Sequence, residues 1–449
     1  MKRILRLIFI SFFAVIILGT IFLSYMLLEG TPPQIEPVSI PKVAGKVFEI
    51  NLKAVDNRSG IREIAPTIIQ NGKKYPIPPK KFNSSQWWLG SGVKEFNASW
   101  TIHAVDMGLK QGPAKLLITV RDSSLRNLLK GNQAVFEQPL VIDLTPPRIA
   151  LKSLVHNIAS GGSGLVAYRL NEPVIKAGVF IDDIFFPGIP LFNKGKNTYI
   201  SLVAVPFNKT KVKKFFVEVT DRAGNTSKIS VPYRIRPRRL KKDRINISDN
   251  FLEQKMPDFE MNYPWVKGST LLETFLNVNR KLRAKNGEQI KEICSSVTPE
   301  QFWQGSFKRL PRAASRANFA DERFYFYKGK QIDHQFHMGV DLASKKHAEV
   351  PAANNGKVVF SDYLGIYGNT IIIDHGLGLY SMYSHLSEMT AEKGEMVLKG
   401  TLIGYTGTTG LAGGDHLHYG MVVNGIFVNP IEWWDRRWIR DHIISNMTF

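Results

Sequence analysis

His416-Leu417-His418-Tyr419-Gly420-Met421-Val422-Val423 is an apolar run that opens with two histidines two residues apart. Reading it as a strand decides the fold of the region around it. A strand points residues i and i+2 to one face, so if one histidine reaches a metal, the other looks into the same cavity. Upstream, the strand-like stretch Leu379-Tyr-Ser-Met-Tyr383 leads into His385, within Tyr383-Ser-His385-Leu-Ser387. Further upstream stands His337-Met-Gly-Val-Asp341. Gly339 inside that motif and the Leu-Ala-Ser after it argue against a helix, which places the pair on a strand end and the turn that follows. Between the motifs, Val350 to Gly356, Tyr367 to Gly376 and Gly400 to Gly404 read as short strands broken at glycine. Eight of the ten histidines lie from His334 to His442, and that concentration locates the chemistry.

A catalytic zinc ion takes three protein ligands and leaves a fourth position for water or substrate. Neutral imidazoles and one carboxylate suit it. One of His416 and His418 can be a ligand and the other a base for the activated water, whose pKa zinc lowers to about 7. His385 could hold a second hydrogen bond to that water or to the oxyanion of the tetrahedral intermediate.

His337/Asp341, Tyr383-Ser-His385-Leu-Ser387 and His416-Leu-His418, in this order, resemble the motifs of the lysostaphin/LytM-type zinc metallopeptidases, which cut peptides in bacterial cell-wall peptidoglycan. The resemblance runs from about Phe324 to about Trp434, roughly a quarter of the chain. It implies an antiparallel β metallopeptidase domain of the duplicated hybrid motif type. It also implies that His337, Asp341 and His418 ligate Zn2+, leaving His385 and His416 as the catalytic, non-ligand histidines. One departure is Gly413-Gly414-Asp415, where many relatives have a Gly-Pro pair; it changes the loop and sets a carboxylate beside the site. His334 and His375 read as structural or surface groups, and His334 precedes His337 by an odd number, so a strand would turn it away. His347 and His442 read as exposed, and Tyr383 as a core or site-wall aromatic.

The 449-residue length implies two to four domains. Lys2, Arg3 and Arg6 precede an uncharged apolar stretch from Leu7 to Leu28, long enough to span a bilayer of roughly 30 Å. It reads as an uncleaved anchor with its N-terminus in the cytoplasm, because a signal peptide would have a shorter apolar core and an Ala-x-Ala-like site. Cys294, the one cysteine, excludes an intrachain disulfide and reads as a buried or helical thiol.

The formal charge is +21, and Arg234, Arg236, Arg238, Arg239, Lys241, Lys242 and Arg244 form a local basic run. Export behind an anchor argues against nucleic acid. Anionic lipid or an acidic wall polymer is the expected partner, with a solvated hinge as the alternative.

In the middle of the chain, Thr31-Pro-Pro-Gln-Ile-Glu and Thr145-Pro-Pro-Arg-Ile-Ala are similar openings. Each region also ends alike, at Asp122-Ser and at Asp221-Arg-Ala-Gly-Asn225, which predicts two tandem β-sandwiches. The pattern resembles bacterial immunoglobulin-like domains, acting as spacers. Trp87-Trp88 and Trp100 are expected in sandwich core or surface packing. Ser248-Asp-Asn-Phe caps a predicted helix, and Leu271, Leu272, Phe275, Leu276 and Leu282 recur at helical spacing. That segment reads as packing on a neighbour, or more sharply as a regulatory element across the zinc cleft. Asn429-Pro430-Ile-Glu-Trp-Trp starts a closing helix, with Trp433, Trp434, Trp438 and Ile439 docking on the β fold.

The expected architecture is therefore mainly β: an anchor over 1–30, sandwiches over 31–144 and 145–236, a basic and helical linker over 237–322, and a metallopeptidase domain over 323–449. The expected activity is hydrolysis of peptides in peptidoglycan crosslinks or stems, outside the cytoplasmic membrane. The alternative is a non-catalytic scaffold or activator of another wall hydrolase.

Overall fold

The computed structural model describes residues 2–27, 30–82, 93–124, 126–153, 155–191 and 195–447. Trp87 and Trp88 lie outside them. The chain forms two compact units, Met1–Pro147 with Thr220–Thr226, and Arg148–Val219 with Ser227–Phe449.

The first unit begins with the helix Lys2–Leu27, whose Arg6–Tyr25 stretch has mean hydropathy 2.7 and buries none of its surface in the protein. Two sheets follow. Gln34–Ser39, Val47–Val55 and Glu95–His103 form one; Val43–Ala44, Gln133–Ile142, Gly112–Asp122, Ile61–Gln70 and Lys73–Pro76 run in that order in the other. Alternation along Val47–Val55 sends Phe48, Ile50, Leu52 and Ala54 inward, onto Ile64, Ile68, Ile118 and Val120 of the facing sheet. Trp100 joins that core and donates its indole N–H to the Pro78 carbonyl at 2.9 Å. The strand-ending aspartates hold their turns as read from sequence. Asp122 Oδ1 accepts from the Ser124 and Asn132 amides, and Asp221 Oδ1 from those of Ala223 and Asn225.

In the second unit, Ile149–Leu151, Ser163–Leu170, Thr198–Ala204 and Ile189–Pro190 form one sheet, and Lys176–Ile181 pairs with Ile184–Pro187 in another. These strands do not close a core of their own. Tyr168, Val179, Phe186 and Leu202 belong to one continuous apolar cluster with Trp303, Phe319, Val340, Ile371 and Trp433. Polar ties cross the same seam: Asn424 Nδ2 donates to the Leu202 carbonyl at 2.9 Å, and the Ser163 amide donates to Glu432 Oε2 at 3.0 Å. A freely hinged spacer here would expose that apolar surface. The two parts instead form one packed body.

The helical segment is likewise built in. Ser248 caps the helix Asp249–Asn262 by accepting from the Phe251 amide, and Leu271–Asn277 passes through a π-type turn, Val278–Leu282, into Arg283–Ile293. Phe259, Phe275, Leu282 and Ile290 pack against Tyr325, Tyr367, Ile372, Tyr380 and Met382. Cys294 is buried at the end of the last helix. Of the basic run, Lys242–Ile247 is a strand, parallel to Glu322–Tyr327, which pairs with Lys330–Phe336. Arg244 lies 3.6 Å over the Phe326 ring, and Lys242 lies 5.9 Å over Phe324.

The largest sheet is antiparallel throughout its main path. Its order is Ala314–Ala317, Val340–Ala343, Leu417–Val423, Leu379–Met389, Asn369–Asp374, Gly356–Tyr363 and Met396–Val397. Asn429 caps the closing helix Pro430–Trp434 through the Ile431 amide, and Trp433 is buried against Trp303, Phe307 and Trp438.

Candidate metal centre and its cleft

Register brings the site together. Val340–Ala343 and Leu417–Val423 are neighbours, and Asp341 stands directly opposite His418. Cross-strand partners lie within side-chain reach, so residues 77 apart in sequence meet: His418 Nδ1 is 3.0 Å from Asp341 Oδ1. His337 precedes the strand and is anchored by its own backbone, with its amide on the Asp321 carbonyl and its carbonyl on the Ala320 amide. Asp341 therefore sits within a strand rather than in the turn expected for it. Gly339 allows the close approach, because a side chain there would collide with His418 Nε2.

His337 Nε2, Asp341 Oδ1 and His418 Nδ1 are 2.9, 2.9 and 3.0 Å from one another, and all three residues are buried. Bonds of about 2.0–2.1 Å to a tetrahedral ion place its ligand atoms a little over 3 Å apart. The donor set thus fits one face of such a site. His337 Nδ1 donates to the Asn318 carbonyl at 2.9 Å, which leaves the Nε2 lone pair facing the cluster.

His385 and His416 flank this triangle. Their rings are 4.9 Å apart, His385 is 5.8 Å from the His418 ring, and His416 Nε2 is 3.5 Å from Asp341 Oδ1. Each gives its Nδ1–H to a backbone carbonyl at 2.8 Å, His385 to Thr409 and His416 to Gly414. The neutral rings therefore both present an Nε2 lone pair. His385 is aimed by a bulge, because the register jumps from Ile371↔Tyr383 to Asn369↔Leu386 and leaves Ser384 and His385 together opposite Thr370. Its φ of 62° is left-handed, an uncommon state for a residue with a side chain. Nothing in Tyr383-Ser-His385 announces that bulge.

Electrostatics separate the groups. Burial would raise the Asp341 carboxyl, but His337, His416 and His418 hold it well below the usual carboxylate range. Burial, then the neighbouring His416 and His418, pushes His385 well down. Burial also lowers His418, to about 4. For His416 burial acts against the charged form, yet the Asp341 carboxylate outweighs it and raises the pKa.

The other sequence candidates fall outside. His334 bonds to Glu322 at 3.0 Å on the opposite face, and Tyr383 is buried with its hydroxyl accepting from the Ala353 amide. His347 is exposed and stacks on Tyr405, whereas His442 is half-buried, stacked on Trp438, and not exposed as expected. Asp415 does not face the metal centre: it accepts from Thr406 Oγ1 at 2.6 Å and from the His347 amide at 3.2 Å, bracing the loop.

His375 is structural. Fully buried, it donates Nδ1–H to the Asn355 carbonyl at 2.7 Å and meets Ser381 Oγ at 2.6 Å, and burial lowers it to about 4. The unfolded chain, with an ordinary histidine, takes up a proton below about pH 6.5 that the folded state refuses. Its contribution is present above that pH and is lost as pH falls toward 4, by about 1.4 kcal/mol per unit. Denaturant unfolding at pH 7 and pH 5 should show a smaller acid loss for His375→Asn, and an unchanged loss would refute the assignment.

One residue of the site was missed in sequence. Arg323 Nη2 holds Asp341 Oδ2 at 2.7 Å, yet it lies one residue before the stretch that carries the motifs. Its only sequence signal is its place in the strand Glu322–Tyr327. The cleft wall involves the segment that sequence placed either on a neighbour or across the zinc cleft. A cavity of about 510 Å³ over the site is lined by Asp341, His385, His416 and His418, and also by Asn246, Phe251 and Gln254 of the segment read as a linker. Lys255 Nζ reaches the Thr408 carbonyl at 2.5 Å, fastening the first helix to the loop beside the site. The segment both lines the cleft and packs into the core.

Residues 335–430 match Peptidase family M23. The chain is 38% identical over 98 residues to the DD-carboxypeptidase/endopeptidase Mpg of Neisseria meningitidis serogroup B, covering 22% of this chain and 23% of that protein. It is 38% identical over 172 residues to the peptidoglycan DD-endopeptidase ShyC of Vibrio cholerae, covering 36% of this chain and 37% of that one. The matched region thus spans 23% and 37% of the length of these relatives. Among solved structures, the catalytic domain of the antimicrobial peptidase lysostaphin from Staphylococcus simulans aligns at a TM-score of 0.26 with 26% identity, over 29% of this chain and 98% of that domain.

Proposed function

With residues 335–430 an M23 peptidase domain of the lysostaphin/LytM type, we propose that the protein is a zinc endopeptidase that hydrolyses peptide bonds in peptidoglycan crosslinks or stems. The observation that carries this reading is the convergence of His337 Nε2, Asp341 Oδ1 and His418 Nδ1 beneath an open cleft. These three residues would hold the metal. A zinc ion there supplies Lewis acidity toward the scissile carbonyl and brings the pKa of a water to about 7.

His416, with its Nδ1–H committed to Gly414, receives the proton of the attacking water at Nε2. Asp341, 3.5 Å away, stabilises the imidazolium that results. His385 accepts a second hydrogen bond from the same water and orients it. Donating to the oxyanion, the other role expected of it, would need a second proton that its buried ring resists. The helix Lys2–Leu27, with its 20-residue apolar stretch, is of a length to cross a bilayer core of about 30 Å and would hold the enzyme at the cell envelope. Its basic N-terminal residues favour a cytoplasmic start.

The test is digestion of crosslinked peptidoglycan by the purified chain, with and without a chelator. Chelator-sensitive release of peptides, restored by zinc, is the expected result. Zinc binding without any release would overturn the hydrolase reading in favour of a scaffold.

A further inference from the structure

Asp341 divides its two oxygens between different tasks. Oδ1 faces His337, His418 and His416 at 2.9, 3.0 and 3.5 Å. Oδ2 is held by Arg323 Nη2 at 2.7 Å. The pair is largely shielded, with side-chain exposures of 20% for Arg323 and 11% for Asp341. A charge-assisted bond of this length in such surroundings is strong and directional, so it fixes the carboxylate's rotation and decides which oxygen the metal meets.

Arg323 is itself held by the segment before it. Its strand, Glu322–Tyr327, lies between Lys330–Phe336 and the parallel strand Lys242–Ile247, where Asp243 is the in-register neighbour of Arg323. Burial disfavours the guanidinium charge, but Asp341 first and Asp243 after it keep the group protonated. Arg323 Nε is buried without a partner among the described residues, so the side chain's one strong tie at the site is to Asp341.

We propose that Arg323 is a positioning residue for the metal: it locks Asp341 so that Oδ1 alone points at the ion, and the strand Lys242–Ile247 belongs to the site by holding Arg323. This rests on the reading of His337, Asp341 and His418 as ligands. Two effects compete when the guanidinium is removed. Loss of orientation weakens metal binding, and partners of this kind are worth about 10–100-fold in affinity. Loss of a nearby positive charge strengthens it. The 2.7 Å contact to the oxygen that faces away from the histidines makes orientation the larger effect.

The experiment measures zinc affinity of the full chain by competition with a chelator of known affinity, for wild type, Arg323→Lys and Arg323→Met. Thermal unfolding of the metal-free forms is followed alongside. Wild type should bind one zinc per chain; Arg323→Met should bind about 10–100-fold more weakly, and Arg323→Lys, which keeps the charge but loses the planar fork, about tenfold. Metal-free unfolding of the lysine variant should stay close to wild type, which a merely structural role would not allow alongside weaker binding. Wild-type or tighter affinity in the variants overturns the proposal. If Arg323→Met does not fold, Arg323→Lys decides alone. Failure of the wild type to bind zinc would instead overturn the ligand assignment beneath it.

Discussion

Replacing His418 by alanine should abolish peptide release from peptidoglycan and empty the metal centre together. His418 supplies one of three donor atoms about 3 Å apart, and no described side chain stands ready to replace it. His416 lies two residues earlier with its Nε2 3.5 Å from Asp341 Oδ1, but it does not join His337 and Asp341 in the group of donor atoms within reach of one ion. Without the metal the attacking water reverts to a pKa near 15.7, so the rate should fall by at least about 10⁴-fold. Metal content by atomic emission and peptide release by mass spectrometry check both halves. A His418→Ala protein that retained stoichiometric zinc, or released peptides at the wild-type rate, would refute the assignment. The metal-free variant should remain folded, because among the described residues His418 Nε2 is already buried without a partner and its loss relieves that cost.

The second large effect is expected at His416 and His385, and its signature differs. Neither contributes to the triangle of donor atoms, so His416→Ala and His385→Ala should each keep bound zinc. Their turnover should drop by about 10²–10⁴-fold with little change in KM, as for loss of a general base or of the group that orients its water. The double variant should lose less than the product of the single losses, because both rings act on one water. Loss of zinc in either single variant would move that histidine into the ligand set. Unchanged turnover would remove it from the mechanism.

Much of the centre was legible because it depends on short-range rules. Period-two alternation put His416 and His418 on one side, and the Gly339 break kept His337 and Asp341 off a helix. What was not legible depends on long-range pairing. The bulge that aims His385 is set by its mismatch with Asn369–Asp374, a partner strand that Tyr383-Ser-His385 does not reveal. Arg323 meets Asp341 only because two strands of different sheets converge. The second sandwich looked separate because its opening at Thr145-Pro-Pro and its closing turn at Asp221 repeat those of the first. Its burial nevertheless depends on contacts such as Ser163 to Glu432, 269 residues apart, which no local pattern encodes. The helical segment was legible as a packing element from the helical spacing of Leu271, Phe275 and Leu282, and Phe275 and Leu282 do join Phe259 in the core.

The place of Leu417–Val423 between Val340–Ala343 and Leu379–Met389 has a bearing on timing. The strand that fills the middle of the sheet is made after both of its neighbours. Chains emerge from the ribosome N-terminus first, so until residue 423 has been made the sheet has a gap at its centre, and Asp341 faces that gap without His418. Every form of the chain that ends before residue 418 holds at most two of the three proposed ligands. A wall peptidase of the kind proposed would in this way stay inert during its synthesis and be armed by the strand that closes its sheet.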